Sequence, residues 1–188
     1  MRCKSIWNSC LFGVLAGPLL ILSVPANAAL FNGNIFNYQY FYSYLSTPYS
    51  LAANGNYTVG EGIEIANFVD GRGPLDISDA NIHIDFNSKG EFALSPGGFN
   101  GFRLQDIYNT IDSFTGFAIN PLTNLSGLGV SLVSFDADNI WVNFTGLSFD
   151  AKSEVSIDIY GAAAVPEPAS MLLLGCGLAA VTAFRRRK

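Results

Sequence analysis

The central part of this 188-residue chain has no cysteine. Cys3, Cys10 and Cys176 lie in the terminal segments and none falls between Ala29 and Val165, which excludes an internal disulfide framework and a thiolate metal centre there. Histidine is almost as scarce. His83 is the single one in the chain; a zinc site would need several further ligands, and a serine triad would need an activated serine that no motif marks. Cations are few as well. Between Ala29 and Tyr160 only Arg72, Lys89, Arg103 and Lys152 stand against fourteen acidic residues, a net charge of −10 where the whole chain carries −5. Phosphate binding requires a basic patch, so nucleic acid is excluded as a partner, while calcium, cationic surfaces and neutral glycans are compatible. Long apolar runs are also missing from this region and occur only towards the two ends.

At the N-terminal end, Arg2 and Lys4 precede an apolar stretch from Leu11 to Val24, and Ala26-Asn27-Ala28 places small residues at the two cleavage-determining positions. This pattern predicts a secretory signal peptide over residues 1–28, removed after Ala28. Pro18 and Pro25 interrupt the run and argue against a permanent anchor helix. A remaining body of about 135 residues is large enough to fold without cross-links. It is expected to be one passenger domain over residues 29–160, followed by a small-residue linker at 161–165.

Residue alternation marks the body as β throughout. Phe36, Tyr38, Tyr40, Tyr42 and Tyr44 alternate with Asn37, Gln39, Phe41 and Ser43, which puts the five aromatics on one strand face. Ala80 to Phe86, Ile140 to Phe144 and Val155 to Ile159 alternate in the same way. Weaker runs cover Tyr57 to Phe68, Phe92 and Leu94, Phe102 and Leu104, Phe114 to Ile119, and Val130 to Phe135, where a phase slip between Leu132 and Val133 predicts a bulge. Turn residues separate these segments at Asn54-Gly55, Asp70-Gly71-Arg72-Gly73-Pro74, Ser88-Lys89-Gly90, Pro96-Gly97-Gly98 and Asn120-Pro121. An all-β fold is expected, an antiparallel β-sandwich of jelly-roll type, flanked by the signal peptide and a C-terminal hydrophobic helix. Leu104, Ile107, Tyr108 and Ile111 have a spacing that also fits a short helix.

Two binding readings arise within the body. Asp136, Asp138 and Asn139 cluster oxygens just before a strand and are candidate calcium ligands; six to eight oxygens are required, so a loop such as Asp76-Ile77-Ser78-Asp79 would have to contribute. Tyr38, Tyr40 and Tyr42 are candidates for stacking on sugar rings if exposed, against the alternative that strand aromatics pack in the core. His83 lies between Ile82 and Ile84 on the polar face of its strand and is expected to face solvent. The carboxylates can be paired in many ways, so glycoside hydrolysis has no specific support and no catalytic residue is assigned.

The chain closes on Val165-Pro166-Glu167-Pro168, an apolar run and four cations, Arg185, Arg186, Arg187 and Lys188. Pro168 to Phe184 is 17 uncharged residues. As a helix it reaches about 25 Å, slightly short of a hydrocarbon core of about 30 Å. The basic residues should stay on the cytoplasmic side, since each costs about 2.5–3.5 kcal/mol at the bilayer centre. This order of parts resembles the PEP-CTERM sorting signal of Gram-negative bacteria. The resemblance covers residues 166–188 and the residue or so before them. It implies that exosortase is a partner, that Pro166, Glu167 and Pro168 are the recognition element, that Met171 to Phe184 is a transient inner-membrane anchor, and that Arg185 to Lys188 retain it. It also implies an exported protein delivered to the cell surface or to extracellular polysaccharide. The expected role is non-enzymatic, structural or adhesive, in a biofilm-type matrix with an exopolysaccharide or cell-surface glycan as partner; the alternative is a glycan- or calcium-binding module.

Overall fold

The computed structural model describes residues 30–162. The signal peptide expected at 1–28, most of the linker, and the sorting segment and hydrophobic helix expected at 166–188 lie outside them. The described residues form eleven strands, one 3-10 turn and no α-helix: β1 (Ile35–Ser43), β2 (Gly55–Thr58), β3 (Leu75–Ser78), β4 (Asn81–Asp85), β5 (Gly90–Glu91), β6 (Phe99–Gln105), β7 (Phe114–Ile119), β8 (Val133–Phe135), β9 (Asn139–Asn143), β10 (Ser148–Phe149) and β11 (Glu154–Gly161). Among them no helix is long and apolar enough to cross a membrane.

Two antiparallel sheets carry the fold, one in the order β2-β1-β6-β9-β8 and the other β3-β4-β11-β7, with β5 and β10 forming a small ribbon. Alternation decides which face of each is buried. On the first sheet Phe36, Tyr38, Tyr40, Phe102, Leu104, Ile140 and Val142 point inward; on the second Leu75, Ile77, Ile82, Ile84, Val155, Ile157 and Ile159 do. Both sets belong to one hydrophobic cluster. Phe68, Phe86, Phe92, Phe144 and Phe149 join it from connections and strand ends and stack or meet edge to face. The strand order departs from a jelly roll, in which hairpin neighbours mostly lie in opposite sheets: β1–β2, β3–β4 and β8–β9 are each paired within one sheet.

Three local expectations need correction. The phase slip at Leu132 and Val133 is no bulge: a 3-10 turn, Val130–Leu132, ends there and β8 begins. A register irregularity occurs instead between Tyr160 and Gly161 on β11. The run from Tyr57 to Phe68 supplies only the last residues of β2, after which Ile65 makes an isolated bridge to Leu75. The stretch from Leu104 to Ile111 is not helical, because Asp106 organises it as a turn. The Asp106 side chain is buried, and its carboxylate accepts hydrogen bonds from the backbone N–H of Tyr108 (3.1 Å) and Ile111 (2.8 Å). The backbone N–H of Asp106 donates to Asp138 O at 2.9 Å, tying this turn to the β8–β9 connection. Replacing Asp106 by alanine leaves two N–H donors without their acceptor and should cost about 2 kcal/mol. The check is a lowered urea midpoint with an unchanged slope.

Candidate functional site

β1 holds the aromatic stripe, and its rings divide between two environments. Tyr38 and Tyr40 are 0% and 2% exposed, Tyr42 44%. The Tyr38 hydroxyl donates to Phe68 O at 3.0 Å and that of Tyr40 to Asn100 Oδ1 at 2.7 Å. Burial pushes both hydroxyls well above the usual tyrosine range, Arg72 partly opposing the shift at Tyr40. Sugar stacking needs an exposed ring, and of the three tyrosines only Tyr42 has one. Tyr38 and Tyr40 are core residues because the inner face of β1 lies against Phe68 and Phe102.

Where β1 emerges from the core, a cleft of about 220 Å³ opens, lined among others by Tyr42, Tyr49, Asp70, Arg72, Glu91 and Asn100. The turn from Asp70 to Pro74, legible from its glycines, delivers Arg72. Asp70 and Gly71 take positive φ, +48° and +70°, and Arg72 N–H closes the turn on Val69 O at 2.9 Å. The Arg72 guanidinium lies 4.7 Å from the Phe92 ring centroid and 5.0 Å from that of Phe149, and its Nη1 donates to Glu91 O at 3.1 Å. Its Nε is sealed from solvent and has no partner among the described residues. Across the cleft the Tyr49 hydroxyl donates to Asp70 Oδ1 at 3.3 Å. Desolvation and then the Asp70 carboxylate raise the pKa of that hydroxyl. An exposed ring, a fixed guanidinium and carboxylate acceptors suit a ligand rich in hydroxyl groups.

The candidate calcium ligands form a self-contained turn between β8 and β9. Asp136 Oδ1 accepts from the backbone N–H of Asp138 (2.9 Å), that of Asn139 (2.8 Å) and Asn139 Nδ2 (2.9 Å). Desolvation alone would raise the Asp136 carboxyl, but those hydrogen bonds and the Arg103 guanidinium together hold it below the usual carboxylate range. Asp76 and Asp79, from which further ligands would have to come, lie on β3 and the turn after it, at the edge of the other sheet. The structure does not bring these two groups into one strand pair.

It brings together three residues that the sequence did not connect. His83 faces outward from β4 as expected, yet its side chain is only 27% exposed, with Nε2 3.3 Å from Asp85 Oδ1 and 3.5 Å from Glu154 Oε1. Asp85 is the next outward residue on β4, and Glu154 is the register partner of Asp85 on β11. The alternation of β4 places His83 and Asp85 on one face. Glu154 arrives through the β4–β11 pairing, which joins residues some seventy positions apart and leaves no local signal.

Comparison with known proteins bears on the tail alone. No curated protein matches the chain, and no solved structure does. Residues 164–188 match the family model described as the PEP-CTERM protein-sorting motif. That match runs through Pro166-Glu167-Pro168, the apolar segment and the four terminal cations, and so the C-terminal segment of this chain is a PEP-CTERM sorting signal, which implies export, transient membrane anchoring and processing by exosortase.

Proposed function

We propose that the exported body is a non-enzymatic β-sandwich adhesive module that holds a neutral glycan of the extracellular matrix in the cleft beside Tyr42. The cleft carries this reading: it sets the exposed Tyr42 ring beside the Arg72 guanidinium and the Asp70 and Glu91 carboxylates. A body charge of −10 repels anionic polysaccharide at low ionic strength, which favours a neutral chain. The sorting tail supports delivery to the cell surface or its exopolysaccharide, where a glycan is the ligand at hand. Asp70 and Glu91 line the same cleft, but both are exposed, whereas a glycoside hydrolase keeps one of its two acids in an apolar enclosure. That difference supports binding without cleavage.

The test is binding of the exported protein to immobilised neutral polysaccharides from its own matrix. Tyr42→Ala should weaken binding about tenfold, equivalent to about 1.4 kcal/mol of lost stacking. Wild-type affinity in that variant would remove the cleft from the account, and release of reducing sugar would replace adhesion by hydrolysis.

A further inference from the structure

The outward face of the β3-β4-β11-β7 sheet is separate from the glycan cleft and carries its own cluster of ligand-type atoms. His83 Nε2, Asp85 Oδ1 and Glu154 Oε1 all lie within 4.8 Å of one another. The two distances from His83 Nε2, 3.3 and 3.5 Å, are longer than the roughly 2.7–3.2 Å of an N–H···O hydrogen bond. They are close to the spacing of atoms that share a small cation. A tetrahedral centre with metal–ligand bonds of about 2.0–2.2 Å separates neighbouring ligand atoms by about 3.3–3.6 Å. Antiparallel pairing supports the arrangement from below: Asp85 is directly opposite Glu154, and Glu154 is the diagonal neighbour of His83. The three side chains are thus presented by two adjacent strands, with Ile82, Ile84 and Val155 fixed in the core beneath them.

A second observation lies on the next strand. Asp76 of β3 is the register partner of His83, on the same face. Its Oδ1 is sealed from solvent and has no hydrogen-bond partner among the described residues. A buried carboxylate oxygen in that condition calls for a proton donor or a cation.

From these observations we infer that His83, Asp85 and Glu154 form a site for a divalent transition metal of the zinc class, with the sealed Asp76 carboxylate on the neighbouring strand adding negative charge beside it. Calcium is disfavoured, because it takes oxygen ligands and this set centres on an imidazole nitrogen. Three protein ligands leave a fourth position for water or for a group from a neighbouring molecule. At the surface of an acidic body, such a position suits cross-linking between passengers or to the matrix, a role independent of sugar binding in the cleft.

The experiment is calorimetric titration of the full, natively exported protein, stripped of metal by chelator, with zinc at neutral pH. Cobalt is the spectroscopic probe. One saturating equivalent of zinc and the intense visible absorption of tetrahedral cobalt are expected. His83→Ala should weaken binding about 100-fold or more and abolish that absorption. His83→Asn, which keeps a polar group of similar reach on the strand, should do the same and guards against loss of fold in the alanine variant. Glu61→Gln removes an exposed acid elsewhere and should leave zinc affinity unchanged. Equal affinity in all of these proteins would mean diffuse attraction to acidic surface, and no saturable binding by a folded wild-type chain would mean a plain histidine–carboxylate contact; either overturns the site.

Discussion

Phe144→Ala should lower the stability of the body by about 3–5 kcal/mol, seen as a loss of about 10–20 °C in thermal midpoint. The ring of Phe144 is wholly buried. It stacks on Phe92 with centroids 4.7 Å apart and 22° between planes, and meets Phe68 at 6.4 Å and Phe102 at 5.9 Å. Those neighbours come from three separate parts of the chain, so the space left by the ring cannot be closed by moving one segment. Cavity cost then adds to the lost transfer free energy. Domains of this kind have about 5–15 kcal/mol in total, so one ring accounts for a large share. Leu94→Ala is the control, at a residue 78% exposed, and should change stability by less than about 0.5 kcal/mol. Equal losses in the two variants, measured by urea and thermal unfolding, would mean that the core does not centre on this aromatic cluster.

Phe144 also illustrates what was legible in the sequence. Alternation from Ile140 to Phe144 marks an inward Ile140, Val142 and Phe144, and all three are buried. The same period places Ile82, Ile84 and Phe86 inward and His83 outward. These assignments succeed because a strand with one wet face has a period of two whatever its neighbours. The failures are of a different kind. Tyr42 continues the phase of Tyr38 and Tyr40 but not their burial, since burial depends on where the opposing layer ends. The slip at Val133 has the same one-residue signature whether it comes from a bulge or from a 3-10 turn. The Asp106 turn imitates helical spacing because its carboxylate collects N–H groups two and five residues on. Candidate sites suffered most. The Asp136 turn is a local cluster and was visible, whereas the histidine cluster and the cleft depend on register between distant strands, which a single sequence does not encode in any short pattern. The sorting tail is the opposite case: a linear signal, read by a processing enzyme as sequence, and legible without a fold.

Replacing Pro166, Glu167 and Pro168 together by alanine should leave most of the protein uncleaved and in the membrane fraction, with Cys176 and the Arg185 to Lys188 terminus still attached by intact mass. The expected failure is conformational as well as chemical. Each proline fixes φ near −65° and biases the preceding residue to extended geometry, so the sequence predicts an extended recognition segment. Alanine has the highest helix propensity and proline lies about 3 kcal/mol below it. The triple variant therefore raises helix propensity across the recognition segment, and the glutamate is lost with it. Glu167→Gln separates the two causes, because it removes the charge and keeps both prolines. Processing that fails in the triple variant and survives in Glu167→Gln would place recognition in the extended backbone; failure in both would place it in the carboxylate. Normal release of the triple variant would mean that this motif does not direct the sorting of the chain.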